Sequence, residues 1–293
     1  MTPTRAWRSH MTLLITALLA AGWLSWPIWS SFTAPGRDAL QAETPFVLAA
    51  TLSMLALLAT SIWLDADRRA QVFGPILLLV VVDVAIRVLL SPGGGGIEPV
   101  YALPLLAGAA LGAPAGFLTG ALASLVSAVA MGLVDTPLVA QILVWGLWGA
   151  AGGAVRSLRP ISAWVAAAVA CLPLGVLTGV ALNITGWTGE SAAPTGGFLP
   201  GLPPSVALQR LIEYTLATSL AYDITRGVVN AVVVLVAGLP VLRALRAAHS
   251  PRPRPLQPDT PRPPAVTASA IRRRENSSEL TQLWTTPPNQ ENT

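Results

Sequence analysis

The sequence predicts an all-α fold, a polytopic membrane helical bundle of about eight transmembrane helices, and three observations carry that expectation. Charged residues make up 11% of the 293-residue chain and apolar residues 53%, with a mean hydropathy of +0.61, whereas soluble domains carry about 25% charged residues. Apolar stretches of roughly 20 residues recur, each long enough at 1.5 Å rise per residue to cross a hydrocarbon core about 30 Å thick. The arginines between those stretches alternate in number from one flank to the next, as the positive-inside rule requires.

The first stretch, 11–30, follows Arg5 and Arg8 and has the charge-then-apolar order of a secretory signal peptide. Trp23, Trp26 and Trp29 form an aromatic belt at its far end, which argues for a retained anchor. The second and third stretches are 45–64 and 71–90. Asp83 and Arg87 lie inside the third, four apart, a spacing that pairs opposite charges along one helix face. The glycine run Gly93 to Gly96 is a loop before the short fourth stretch, 97–111, which begins at Glu98. Gly112-Ala113-Pro114 leads almost directly into the fifth, 114–134, and proline is tolerated at a helix start because its missing N–H would be unpaired there.

Gly108, Gly112, Gly116 and Gly120 recur every four residues across that turn, a spacing that lets helix backbones approach closely within a tight hairpin. The sixth stretch, 137–155, carries Gln141, Trp145 and Trp148, whose indoles face either a cavity or lipid. The seventh, 161–184, ends at Asn183. Residues 185–209 are rich in Gly and Pro and hold Trp187, Glu190 and Phe198, as a lid or a plain linker would. A stretch at 211–221 is too short to span. The eighth, 223–245, opens with Asp223, Arg226 and Asn230 on one face; Arg210 and Glu213 repeat the i, i+3 spacing just before it. Intramembrane charges are costly and mark functional candidates, with mutual neutralisation as the structural alternative.

Eight flanking arginines, Arg5, Arg8, Arg68, Arg69, Arg156, Arg159, Arg243 and Arg246, fall on one side of this arrangement, and only Arg37 and Arg210 fall on the other. That bias places both termini in the cytoplasm of a bacterial plasma membrane. From residue 250 the chain mixes proline with arginine and little that packs, so 250–293 reads as a disordered cytoplasmic tail. The organisation is then 1–70, a cytoplasmic N-terminus with two extra helices; 71–249, a six-helix core; and 250–293, the tail.

All 18 basic residues are arginine. Their position on membrane flanks and tail argues against a nucleic-acid partner despite the basic balance. His10 and His249 are the only histidines and Cys171 the only cysteine, which excludes a disulfide within the chain and intramembrane metal or haem ligation. There is no His-Glu-x-x-His and no Gly-x-Ser-x-Gly, and a phosphate-binding loop is impossible without lysine. The chain is not expected to be an enzyme or to carry a cofactor. Uphill transport then draws on a gradient or on a partner subunit.

Ile97-Glu-Pro-Val followed by Leu106-Ala-Gly-x-x-x-Gly-Ala-Pro-x-Gly-x-x-x-Gly-Ala resembles the second and third core helices of energy-coupling-factor (ECF) transporter S components. Asn183, with Leu216-Ala-Thr-Ser-Leu-Ala-Tyr-Asp-Ile-Thr-Arg-Gly-Val-Val-Asn, resembles the end of the fifth core helix and the start of the sixth in actinobacterial-type members. The resemblance covers residues 71–246. It implies a subunit that captures a vitamin or related micronutrient from outside, cobalamin-like by preference. It also implies an ECF transmembrane coupling protein and two cytoplasmic ATPase subunits as partners. The family's Ala-x-x-x-Ala docking signature is absent from 71–90, and Ala17 and Ala21 carry it on the wrong helix, which suggests a dedicated coupling module. Candidate substrate-binding residues are Glu98, Gln141, Trp145, Asn183, Trp187, Asp223, Arg226 and Asn230, polar groups and indoles on helices flanking an outer cavity. Two other classes compete: a proton-coupled secondary transporter using Asp83 or Asp223 as relay, and a non-transporting membrane assembly protein.

Overall fold

A computed structural model describes residues 6–29, 37–90, 96–134, 138–187, 193 and 195–249, with side chains at 26–29 and 37–44 excepted. The proposed tail, 250–293, and the side chains of Trp26 and Trp29 lie outside the described residues. Helices follow one another as α1 (Trp7–Trp29), α2 (Arg37–Asp65), α3 (Phe73–Leu90), α4 (Ala102–Leu111), α5 (Ala113–Met131), α6 (Leu138–Gly152), α7 (Pro160–Trp187), α8 (Pro204–Thr218), α9 (Leu220–Val233) and α10 (Leu239–His249). No strand occurs among the described residues.

Six helical segments among the described residues are long and apolar enough to cross a bilayer: Pro45–Asp65, Ala70–Leu90, Ala113–Met131, Leu138–Val155, Pro160–Trp187 and Leu220–His249. The chain is therefore a multi-pass membrane protein by length and composition. The expected count of eight spans is not confirmed among the described residues. The stretch at 11–30 forms most of the 23-residue α1, whose last four side chains lie outside the described residues and which is not counted in the six. The stretch at 97–111 is a 3-10 turn, Pro99–Tyr101, running into the ten-residue α4. Pro99 starts that element late and Gly112 stops it early, so Pro99–Leu111 rises only about 20 Å.

A helix that short and that apolar is stable only when covered on every side. Ala102, Leu105, Leu106, Ala107 and Ala109 on α4 are all fully buried, against α5, α6 and α10. Glycine makes the approach possible. A Cβ on Gly108 would overlap the Gly149 carbonyl oxygen, and one on Gly116 would overlap the same oxygen from α5. A Cβ on Gly149 would meet the Gly116 carbonyl, and one on Gly152 the Leu105 carbonyl. Gly120 sits equally hard against the Trp145 carbonyl. The four-residue repeat is thus one side of a three-helix seam whose other side is Gly149 and Gly152 of α6. Gly112 differs from its neighbours in the repeat: its φ of 108° turns the chain between α4 and α5.

On α3 the inward positions are Ile76, Leu79, Val80 and Asp83, while Leu77, Leu78 and Val81 are exposed, as on a helix with one lipid-facing side. The last span is continuous from α9 to α10 but widens to a π-helical turn over Val234–Gly238. Pro240, with no N–H to donate back, accounts for the widening, and the Trp164 indole donates to the Val234 carbonyl there at 2.7 Å.

The contacts sort the flanks into two ends. At one, Arg246 donates to the carbonyls of Leu158 (2.7 Å), Ala109 (2.9 Å) and Arg156 (3.0 Å). The Asp65 carboxylate accepts from the Ser9 N–H at 2.8 Å at the same end, and both line a cleft with Gly112, Arg156 and His249. At the other end are Glu98, Trp187, Arg210 and Arg226.

Gly149→Ala should lower the thermal unfolding temperature in detergent, the overlap costing about 1–3 kcal/mol. Gly22→Ala, with nothing within 4 Å of the added Cβ, should leave it unchanged or raise it. Equal behaviour of the two variants would contradict the seam.

Candidate functional site

The start of α9 carries the densest polar grouping among the described residues. Asp223, Arg226, Gly227 and Asn230 form its buried face. Arg226 Nη1 donates to Asp223 Oδ1 at 2.6 Å, and Arg226 Nε donates to Glu98 Oε2 at 2.9 Å. One guanidinium thus joins two carboxylates that are far apart in the chain, Glu98 before α4 and Asp223 on α9. The second oxygen of Asp223 accepts from Ser219 Oγ at 2.8 Å. Asn183 on α7 extends the network, its Nδ2 donating to Ser219 Oγ at 2.7 Å and to Thr215 Oγ1 at 3.1 Å. Asp223 is almost fully buried, while the Glu98 side chain is 46% exposed.

Room for the Asp223 carboxylate comes from α7. A Cβ on Gly179 would occupy the carboxylate's own position, and one on Gly175 would come within 2.6 Å of the Asp223 carbonyl oxygen. Asn230, one helical turn beyond Arg226, clamps the 3-10 turn. Its Nδ2 donates to the Glu98 carbonyl at 2.7 Å, and its Oδ1 accepts from the Tyr101 N–H at 3.1 Å. Those are a donor and an acceptor at the unpaired start of the turn that would otherwise be buried unsatisfied.

Beside this network lies a cavity of about 110 Å³, lined by Arg87, Leu90, Ile97, Glu98, Pro99, Val100, Tyr101, Gln141, Trp145 and Leu182. Its polar wall is ordered by stacking. The Tyr101 ring lies 5.2 Å from that of Trp145 and 4.9 Å from that of Trp148, and the Trp148 indole donates to Thr178 Oγ1 at 2.7 Å. Arg87 lies 5.0 Å from the Trp145 ring centre. Its Nη2 donates to Gln141 Oε1 at 2.9 Å and its Nη1 to Ser127 Oγ at 2.8 Å. Trp145 and Trp148 are buried in the bundle, which removes the lipid-facing alternative for both.

Of the residues expected from sequence, Glu98, Asn183, Asp223, Arg226 and Asn230 are joined in one network, and Glu98, Gln141 and Trp145 line the adjoining cavity. Trp187 stands apart. It packs edge-to-face on Phe198 at 5.0 Å and donates to the Gly196 carbonyl at 2.8 Å, in a separate apolar cluster with Ala207 and Leu211. Arg210 belongs to that segment too, donating to the Gly197 carbonyl at 2.8 Å, while Glu213 accepts from Gln209. The i, i+4 bond expected between Asp83 and Arg87 is replaced by the α5 and α6 partners of Arg87. Both Asp83 carboxylate oxygens are buried without a hydrogen-bond partner. The guanidinium on its long stem reaches oxygens on the next helices, which the short Asp83 side chain does not.

Sequence reasoning missed Tyr101 and Ser219. Ser219 stands four residues before Asp223, the helical spacing that puts its hydroxyl on that carboxylate. Tyr101 stands three after Glu98 at the start of an apolar helix, where a phenol is out of place unless it stacks. No model of a known protein family, no curated protein and no solved structure matches the chain.

Arg226→Ala strands the buried Asp223 carboxylate and should cost about 3–5 kcal/mol of unfolding free energy. Glu98→Gln breaks only the half-exposed arm and should cost less than about 1 kcal/mol. Denaturant unfolding in mixed micelles reads both, and equal losses would contradict this ranking.

Proposed function

We propose that the chain is the substrate-binding membrane subunit of an ECF-type importer, which captures a compact solute from outside and delivers it inward with partner ATPases. The observation that carries this reading is the cavity bounded by Arg87, Glu98, Tyr101, Gln141 and Trp145, set at the end of the bundle away from Arg156 and Arg246. A concave site with aromatic walls and a few convergent polar groups is what recognition of a small molecule requires. The positive-inside rule turns the arginine-rich end to the cytoplasm and the cavity outward.

The ECF reading is supported by the motif resemblance, and the missing nucleotide-binding loop agrees with ATP hydrolysis on separate subunits. A transmembrane coupling protein and two ATPases are the implied partners, and the missing Ala-x-x-x-Ala on α3 favours a coupling protein dedicated to this chain. A cavity of about 110 Å³ is small beside the usual 300–1,000 Å³ of ligand sites. It favours a compact micronutrient over a cobalamin-like corrinoid. The buried carboxylate of Asp83 favours a second reading, a proton-coupled secondary carrier.

Purified protein in lipid nanodiscs should bind one member of a vitamin and small-metabolite panel without partners. Trp145→Ala and Gln141→Ala should each weaken that binding by about tenfold or more, a loss of roughly 1.4 kcal/mol. Proteoliposomes holding the chain alone should not accumulate the solute under a proton gradient. Accumulation there would select the carrier, and failure to bind any solute would overturn both readings.

A further inference from the structure

We propose that a crevice between α1 and α2 binds one acyl chain of a bilayer phospholipid, held along the two helices in the half of the bundle away from Asp65. The site is separate from the solute cavity and does not rest on the solute-binding reading.

The way α1 and α2 are joined places the crevice. Near Asp65 they are tied twice: the Ser9 N–H donates to the Asp65 carboxylate at 2.8 Å, and the hydroxyls of Thr12 and Ser61 bond to each other at 2.8 Å. Beyond those ties, toward Trp23 and Phe46, lies a space of about 300 Å³, against about 110 Å³ for the polar cavity. Its floor is Thr16, Ala20, Thr51 and Leu143, each less than a tenth exposed, and Leu19 and Phe46 on its rim are 57% and 79% exposed. Leu143 belongs to α6, and residues two apart on a helix point about 200° away from one another. Gln141 and Trp145, which line the polar cavity, are thus on the opposite face of α6 from the crevice.

The chemistry of the walls selects a hydrocarbon. None of the described residues that line the crevice is ionisable. Both floor hydroxyls donate within their own helices, Thr16 to the Thr12 carbonyl and Thr51 to the Val47 carbonyl, each at 2.8 Å. The floor therefore has no hydroxyl proton left for a polar guest. Water is held in a cavity only by two to four polar partners, and an apolar cavity of about 150 Å³ stays dry and admits a molecule such as benzene. Left empty, the crevice would forfeit dispersion contacts along its walls. Its place in the bundle names the occupant. The segment Pro45–Asp65 is long and apolar enough to cross the bilayer, and the exposed Leu52 and Leu57 continue the rim from Phe46 along that span, a surface that lipid tails already cover. A further helix, about 10–12 Å across with its side chains, would rest on Leu19 and Phe46 without reaching the floor. A single flexible chain reaches it.

Native mass spectrometry of the full chain, released from mild detergent, tests this. The wild type should carry one phospholipid. Ala50→Phe, which puts a ring into the crevice, should lose it, and Ala49→Phe, at an exposed position outside the lining, should keep it. In phosphatidylcholine vesicles doped with a phosphatidylcholine whose acyl chain carries a diazirine, adducts should concentrate on residues 16–23 and 46–54 and disappear from them in Ala50→Phe. A lipid-free wild type, or equal lipid retention by the two variants, would overturn the proposal. A lipid-free dimer that Ala50→Phe dissociates would assign the crevice to a second copy of the chain and overturn it as well. If Ala50→Phe does not fold, labelling of the wild type decides alone: an excess of adducts at the crevice supports the site, and adducts spread evenly over the exposed faces of α2, α3 and α7 contradict it.

Discussion

The backbone contact between Gly108, Gly116 and Gly149 is the constraint on which the rest of the bundle depends. Lipid tails are as apolar as leucine, so the hydrophobic effect gives membrane helices little reason to associate, and close packing has to supply it. Here it holds a helix, α4, that is too short to cross and has no polar face to leave exposed. Because α4 is fixed against α5 and α6, the 3-10 turn ahead of it is fixed too. That turn presents Glu98 and Tyr101 to Gln141 and Trp145 of α6 across a narrow cavity.

Electrostatics completes what packing begins. A charge in the hydrocarbon region persists only when paired or neutralised, and the α9 cluster meets that condition. Two carboxylates share the Arg226 guanidinium, Ser219 takes the remaining Asp223 oxygen, and Asn230 ties the 3-10 turn to α9. A second glycine pair, Gly175 and Gly179, opens the space on α7 into which Asp223 fits. Close helix approach and buried charge are therefore one device: glycine brings the backbones together, and the charges then have partners within reach. Asp83 departs from this pattern, its two carboxylate oxygens buried without a hydrogen-bond partner.

Much of this was legible in the sequence because lipid imposes simple rules. Apolar length marked the helices, arginine position marked the two ends, and the i, i+3 and i, i+4 spacings on α9 brought Asp223, Arg226 and Asn230 to one face. Long-range partners were less legible. That Glu98 meets Arg226, 128 residues away, depends on how two helices pack, which no local spacing encodes. The same limit hid the partners of Trp187, which packs in a separate apolar cluster, and of Arg87, whose reach to Gln141 and Ser127 follows from helices that sequence alone does not juxtapose. The stretch 97–111 shows the limit of reading spans from hydropathy, which measures apolar character, whereas crossing demands length.

The central claim is that the cavity at the Glu98 end faces outward and is occupied by solute. Ile97 lines that cavity and is half-exposed, and the buried Cys171 is the only native cysteine. The most direct measurement is therefore modification of a Cys171→Ala, Ile97→Cys protein in intact cells by a membrane-impermeant maleimide. The account predicts labelling from outside, slowed by the bound solute. Labelling that requires permeabilised cells would place the cavity on the cytoplasmic face and contradict it.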